Sequence, residues 1–262
     1  IQAASAWDIS QGDTLVTVGI VDCGVQTTHP DLAANIWLNP GEAGADSNDG
    51  VDDDGNGYVD DYRGWDFAGP DTAVASPVGD NNPNPTASNN DHGTHVAGDA
   101  SAVTNNGTGV AGIGFNCKVM AIKCSYDNDT RSDGKGYISF GYEGIVYAAD
   151  NGAQIINCSW GGGGYSQYEK DIIDYASGQG SLVVCAAGNE NSIAPHYPSA
   201  YENSFSVAAT GEIPMDVKSA FSNYGPTVDI SSPGSSIYST CYSNTYASWD
   251  GTSMASPVAA GV

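Results

Sequence analysis

The sequence predicts an α/β fold with a mostly parallel central sheet flanked by helices. Segments of strand and helix character take turns along its 262 residues, the pattern of helices covering a parallel sheet. The strand segments are continuous apolar runs, as expected where both faces of a sheet are buried. Among the helical segments, residues 138–150 place Ile138, Tyr142, Ile145 and Ala149 at helical spacing and stop at Asn151-Gly152, a suitable C-terminal signal. A chain of this length buries its core as one domain, 1–262, and no repeat or linker divides it.

Residues 15–21 form a β-branched run that reads as a buried strand and delivers Asp22 at its end, followed by Cys23-Gly24. Functional groups of parallel sheets gather just beyond the carboxyl ends of strands, although an Asp before a small residue and Gly also simply caps turns. Residues 40–90 read as an acidic insert loop rich in Gly, Pro, Asn and Asp. Within it, counting Asp52 as position 1, Asp54, Asn56 and Asp60 fall at 3, 5 and 9, Gly57 at 6 and the Tyr58 carbonyl at 7 of a calcium loop. Position 12 is Arg63 instead of the bidentate Glu, so Asp61, Asp46 or Asp49 would complete the coordination. A solvated acidic loop is the plain alternative, but carboxylates this dense repel one another unless a cation intervenes.

The segment His92-Gly93-Thr94-His95-Val96-Ala97-Gly98 opens a helix predicted to run to Ala102, and carries two of the four histidines. The H-E-x-x-H pattern of zinc proteases is absent. Strands follow at 118–123, 154–158, 182–186 and 204–208, with a helix at 168–177. Two glycine-rich turns lie beyond strands, Ser159-Trp160-Gly161-Gly162 and Ala186-Ala187-Gly188-Asn189-Glu190. Neither matches a phosphate-binding fingerprint; the glycines serve either as plain turns or equally to let a peptide backbone approach closely. Finally, Gly251-Thr252-Ser253-Met254-Ala255-Ser256-Pro257 puts Ser253 at a helix start, where free N–H groups favour negative charge. A capping serine is the ordinary reading of such a position.

Seven Lys and Arg against 31 Asp and Glu give a net charge of −24, which disfavours nucleic acid and anionic membrane surfaces as partners. No apolar stretch approaches membrane-spanning length, and no basic segment precedes an apolar one. The six cysteines include no CxxC pair; buried free thiols suit most of them, while the even count leaves disulfides open.

Asp, His and Ser thus occur in the order 22, 92, 253, one of three orders known among serine hydrolases, and the G-x-S-x-G elbow is missing. In the segments around Asp22, His92, Asn189 and Ser253 the sequence resembles the subtilisin-like serine proteases (subtilases, peptidase family S8), and is similar to their thermitase-like branch. The resemblance implies a three-layer subtilisin-like fold and a secreted endopeptidase, monomeric, made with a cleaved propeptide and acting on polypeptides. It implies Ser253 as nucleophile, His92 as general base, Asp22 as its orienting acid and Asn189 as an oxyanion donor. His95 would be a supporting residue.

Substrate would bind as an added strand between Gly134-Lys135-Gly136 and Ser159-Trp160-Gly161. The pocket for the residue before the cut would be walled by Ser159–Gly162 and by Ala187, Gly188 and Asn189, with His196 near its base and a preference for apolar or aromatic side chains. A second calcium site is implied at the carbonyls of Val103, Thr108 and Val110, the Asn106 side chain and Asp31, so two or more structural Ca2+ ions are expected. Against the family's usual pattern, Cys23 stands where Ser or Thr is common and Val258 where His is. The chain also starts and stops inside the family's usual limits, so a longer active form is expected. The rival reading is a calcium-dependent binding protein that kept the fold and cleaves nothing.

Overall fold

The computed structural model describes residues 2–42, 44, 47–69, 78–86, 90–127, 137–211 and 216–262. A short helix, α1 (Ala3–Trp7), precedes strand β1 (Thr17–Asp22). Then come β2 (Gly64–Asp66), α2 (His92–Ser101), β3 (Lys118–Lys123), α3 (Gly141–Asp150), β4 (Ile155–Cys158), α4 (Gln167–Gly178), β5 (Leu182–Ala186) and β6 (Ser204–Thr210). β7 (Ile230–Pro233), a hairpin of β8 (Ile237–Cys241) and β9 (Thr245–Trp249), and α5 (Thr252–Ala260) complete the fold.

Seven strands form one sheet in the order β2-β3-β1-β4-β5-β6-β7, and every pairing in it is parallel. The chain leaves β1 toward β3 and returns to β4 on the other side of β1. Strand order therefore reverses at β1, the place where open α/β sheets leave a crevice at their carboxyl edge.

Alternation along the strands builds the two layers that cover the sheet. Val18 and Ile20 of β1 and Val119 and Ala121 of β3 face α2 and α5, against Val96, Ala97, Ala100, Met254 and Ala255. Val21, Met120 and Ile122 face the opposite layer, where α3 and α4 contribute Ile145, Tyr147, Ile172 and Ile173. The predicted three-layer arrangement is the one observed. The first strand starts at Thr17, because Leu15 is exposed. The helix expected from residue 138 starts at Gly141. The strands β2, β7, β8 and β9 were not anticipated by apolar runs, and β7 and β9 are largely polar or exposed. All six cysteines are free and buried.

Parallel register places Lys123 beside Asp22. The Lys123 ammonium is 2% exposed and bonds Asp66 at 2.9 Å and Asp127 at 3.1 Å. Burial pushes the Asp66 carboxyl up to about 6, against the attraction of Lys123. Removing one partner of such a buried cluster strands charge in a poorly solvated place. Lys123→Met should therefore cost about 3–5 kcal/mol in urea denaturation. The native carboxyl of Asp66 holds its proton to a higher pH than the unfolded chain does. Stability accordingly falls as pH rises through that window, and the variant's deficit should shrink on going from about pH 8 to about pH 5.

Candidate active site

Three carboxyl-edge positions and two helix starts converge on a cleft of about 580 Å³, lined by Asp22, His92, Ser159–Gly164, Gly188, Asn189, Thr252 and Ser253 among others. Asp22 closes β1, is 1% exposed, and accepts from the backbone N–H of Cys23 at 2.8 Å. His92 opens α2, and its Nδ1 donates to Asp22 Oδ1 and Oδ2 at 2.9 and 3.0 Å. That bond directs the other ring nitrogen away from the acid. Gly93 permits the approach: a Cβ there would stand 2.4 Å from the Gly24 carbonyl oxygen and 2.9 Å from the Asp22 Cβ.

The start of α5 is held by an unusual exchange of hydrogen bonds. Pro257 lies inside the helix and has no N–H to give to the carbonyl of Ser253, four residues earlier. Ser159 Oγ fills that place, donating to the Ser253 carbonyl at 2.8 Å, while Ser253 Oγ donates to the Ser159 carbonyl at 3.0 Å. Asn157 Nδ2 donates to Ser159 Oγ at 2.9 Å, and Ser256 Oγ donates to Asn157 Oδ1 at 2.7 Å. Asn157 and Ser256 are fully buried.

Asn189 accepts through Oδ1 from both the N–H and the hydroxyl of Thr252, each at 2.9 Å. This fixes the amide orientation, and Nδ2 of this cleft-lining residue has no acceptor among the described residues. Met254 and Ala255 donate to the Gly251 carbonyl. In this first turn the Ser253 N–H is the one without an acceptor among the described residues. A turn amide and a helix-start N–H thus belong to residues lining one cleft.

His95 is fully buried, with Nε2 donating to the Ala247 carbonyl at 3.1 Å and Nδ1 lying 3.2 Å from Asp99 Oδ2. Its ring stacks on Trp249 at 4.4 Å and 6°, and the same indole stacks on His92 at 6.2 Å and 17°. Trp249 carries no motif signal, because it reaches His92 only through the hairpin fold. Cys23, beside Asp22, stays a thiol: burial first, and the Asp22 charge second, raise it well above its ordinary value.

Of the expected cleft residues, Ser159, Trp160, Gly161, Gly162, Gly188 and His196 line it, and Ala187 is buried behind. His196 sits 3.8 Å from Glu190, and burial lowers its pKa while Glu190 opposes the shift. The backbone of Trp160 and Gly161 makes no hydrogen bond among the described residues, so this edge is available to an added strand. Gly134, Lys135 and Gly136 lie outside the described residues, as does Asp46.

The acidic loop gathers a different set from the one its spacing suggests. Carboxylate oxygens of Glu42, Asp52 and Asp54 lie within 4.8 Å of one another. Glu42 is fully buried, its Oε2 has no partner, and burial raises its pKa. Glu42 was missed by sequence spacing because it lies ten residues before Asp52, where the spacing starts. Asp60 instead accepts from the N–H groups of Asp49 and Gly50, and Asp49 from that of Val51. Asp61 is bonded to Asn39 and Tyr147, Asn56 caps the N–H of Tyr58, and Tyr58 packs on Trp65 and Tyr147. At the second expected site, Asp31 accepts from Asn106 Nδ2 at 2.6 Å and from the Val110 N–H at 2.7 Å. Thr108 donates its N–H to Asn106 Oδ1 and Val103 donates its N–H to the Asp31 carbonyl, so all five residues meet.

The description "Subtilase family" (Peptidase_S8) matches residues 13–262. The chain belongs to the subtilase family. It is 41% identical over 262 residues to Thermitase of Thermoactinomyces vulgaris, covering all of this chain and 78% of that relative. It is 37% identical over 257 residues to the Thermophilic serine proteinase of Bacillus sp. (strain AK1), covering 98% and 53%. It is also 37% identical over 262 residues to the Halolysin-like extracellular serine protease Nep of Natrialba magadii, covering all of this chain and 42% of the relative. The chain thus spans about half or less of the length of the latter two. As a subtilase it is a hydrolase of the serine-protease class, on the expected α/β fold. No helix among the described residues is long and apolar enough to cross a membrane.

Within this subtilase, Asn157 is the shared partner of two buried hydroxyls. Asn157→Leu should cost about 1–3 kcal/mol, read by denaturation of inhibitor-blocked protein so that self-digestion does not intervene.

Proposed function

We infer that the chain is a secreted, calcium-stabilised serine endopeptidase acting on polypeptides through an Asp22–His92–Ser253 triad. The observation that carries the reading is the paired hydrogen bond from His92 Nδ1 to Asp22, with His92 and Ser253 lining one cleft. Ser253 Oγ attacks the scissile carbonyl carbon as its proton passes to His92 Nε2. That proton then goes to the leaving amine, the C–N bond breaks, and water releases the acyl group by the same steps reversed in role. Asp22 keeps the tautomer that leaves Nε2 basic and balances the imidazolium. The oxyanion is received by the Ser253 N–H and Asn189 Nδ2, a role supported by their lack of competing acceptors among the described residues. In the resting cleft Ser253 Oγ points to the Ser159 carbonyl; substrate entry redirects it, as catalytic hydrogen bonds tighten in the bound state.

Cleft residues Gly134, Lys135, Gly136 and Ser159–Gly162 pair with the substrate backbone, while Gly161, Ala187, Gly188 and His196 shape the pocket before the cut. The family supports a monomer released from a precursor by loss of a propeptide, and the extracellular naming of a relative supports secretion.

Calcium would bind the acidic loop at Glu42, Asp52 and Asp54, and the second loop at Asp31 and Asn106 with the carbonyls of Val103, Thr108 and Val110. The orphaned Glu42 Oε2 and the hard oxygen donors suit that ion, which would neutralise the cluster and hold the loops. It takes no part in the chemistry.

A fluorophosphonate should label Ser253 stoichiometrically, and Ser253→Ala should abolish both labelling and casein cleavage. A folded protein that ignores the reagent and leaves casein intact favours the non-cleaving binding reading. Asp22→Asn should lower kcat about 10⁴-fold, because the imidazole then holds the wrong tautomer.

For calcium, saturation about a hundredfold above Kd contributes about 2.7 kcal/mol. Chelation should then lower Tm by about 5–10 °C. Glu42→Gln should remove part of that dependence. An equal Tm in chelator and in calcium would count against both sites.

A further inference from the structure

We propose that Glu169 selects a lysine or arginine in the substrate at the fourth residue before the scissile bond. The proposal rests on the proteolytic reading above and concerns the part of the cleft that the triad does not use.

The segment Ser159–Gly162 divides the cleft. Its start is fixed at the nucleophile by the Ser159 Oγ bond to the Ser253 carbonyl, 2.8 Å, and its end by reciprocal 2.8 Å backbone bonds between Gly162 and Tyr197. Along extended backbone, successive residues face opposite sides. Gly161 faces the side of His196: a Cβ there would stand 2.6 Å from His196 Nε2. Trp160 faces the other side. Its indole N–H donates to the Val21 carbonyl at 2.7 Å, its ring meets Tyr142 edge-on at 5.5 Å, and it closes over Gly141, where a Cβ would come within 2.5 Å of the ring.

Beyond this aromatic wall sits Glu169, in the first turn of α4 and lining the same cleft. Tyr142 and Tyr201 both donate their hydroxyls to Glu169 Oε2, each at 2.8 Å. The second carboxylate oxygen, Oε1, has no partner among the described residues. Burial and the Glu169 charge push both phenols up, Tyr201 to about 12, so they remain donors and hold the carboxylate in one orientation.

The other acids of the cleft stand elsewhere in it, Asp22 against His92 and Glu190 on the His196 side. Asp22 is bound by His92, and Glu190 accepts from Asn223 at 2.8 Å with His196 at 3.8 Å. No Lys or Arg occurs among the described lining residues. Glu169 is therefore a positioned carboxylate with a free oxygen, at the end of a wall made by Trp160 and Tyr142. A long cationic side chain fits that chemistry: its stem lies along the rings, with cation–π attraction, and its head reaches Oε1 in a charge-assisted hydrogen bond.

The register follows from strand alternation. When the residue before the cut enters the Gly161–His196 side, the second and fourth residues before it face the opposite way. The second stands by His92, next to the cut, and the fourth lies two strand steps further along, at the Trp160 side. A purely structural role, in which Glu169 only satisfies two tyrosines, makes no demand on substrate charge.

The test uses the active enzyme in calcium buffer with fluorogenic peptides identical except for Lys, Arg, Gln, Leu or Glu at that fourth position. At low salt, kcat/KM for Lys or Arg should exceed that for Gln by about tenfold, and the ratio should decline as ionic strength rises. Within the Glu169→Gln variant the Lys:Gln ratio should fall to near one, and within Glu169→Lys the preference should move to Glu. A wild-type ratio near one overturns the proposal, as does a ratio unchanged by salt or by Glu169→Gln. Should the variants fail to fold, the salt response of the wild-type ratio decides. Cleavage of peptides without this preference sinks the Glu169 role alone; cleavage of none sinks the proteolytic reading with it.

Discussion

A missing N–H organises the cleft. Pro257 cannot close the helical bond to the Ser253 carbonyl, so that carbonyl is met by the hydroxyl of Ser159 at 2.8 Å. The same exchange runs back from Ser253 Oγ to the Ser159 carbonyl. Through Asn157 and Ser256 the bonds continue into the layer beneath. A helix start and a strand end, some 90 residues apart in the chain, thereby become one rigid unit. Everything aimed at the cleft depends on that: the N–H of Ser253 is available because the turn around it is satisfied by other groups, and the segment Ser159–Gly162 keeps its edge open because its ends are tied.

The second fixed point is the sheet itself. Parallel order with a reversal at β1 brings Asp22 and the turns after β4 and β5 to one edge. Helix α2 is then pressed against that edge closely enough to require glycine at position 93. The hairpin of β8 and β9 supplies what the sheet cannot: an indole, Trp249, stacked between the rings of His92 and His95, with Ser239 and Thr240 bonded to the α2 carbonyls of His95 and Thr94. The orientation of His92 is thus set from two sides, by a carboxylate at one ring nitrogen and by stacked rings across its face.

How much of this is legible in the sequence follows from how local each signal is. Asp22, His92, Asn189 and Ser253 each sit at an element boundary whose own residues announce it: a β-branched run, a loop followed by small helical residues, a glycine turn, a Gly-Thr-Ser helix start. The central strands and the helices α2, α3 and α4 announce themselves by periodicity or by continuous apolar runs. The strands β2, β7, β8 and β9 do not, since they are short, polar or only partly covered, and neighbours in space justify them. Glu42 is hidden for a related reason. The loop pattern counts forward from Asp52, whereas Glu42 reaches the cluster from the preceding segment, and its N–H acceptor role toward Asp53 is visible only in three dimensions. Asp60 shows the converse: correct spacing, with its oxygens accepting the N–H groups of Asp49 and Gly50 outside the Glu42–Asp52–Asp54 cluster.

Net charge is the feature that these local arguments explain least, and the distribution of the acids is more informative than the total of −24. Two kinds of acid can be told apart. Asp66 and Asp127 face a buried ammonium, and Asp22 faces an imidazole, so their charges are answered within the chain. Glu42 with Asp52 and Asp54, and Glu169 on its tyrosine pair, have no cation of their own among the described residues. Glu42, buried with one carboxylate oxygen unpartnered, carries a standing cost, because burial disfavours its ionised form. A fold keeps such groups where an external cation returns that cost. Three convergent oxygens suit a compact divalent ion. A single carboxylate at the end of an aromatic wall suits instead the elongated cation of a lysine or arginine side chain.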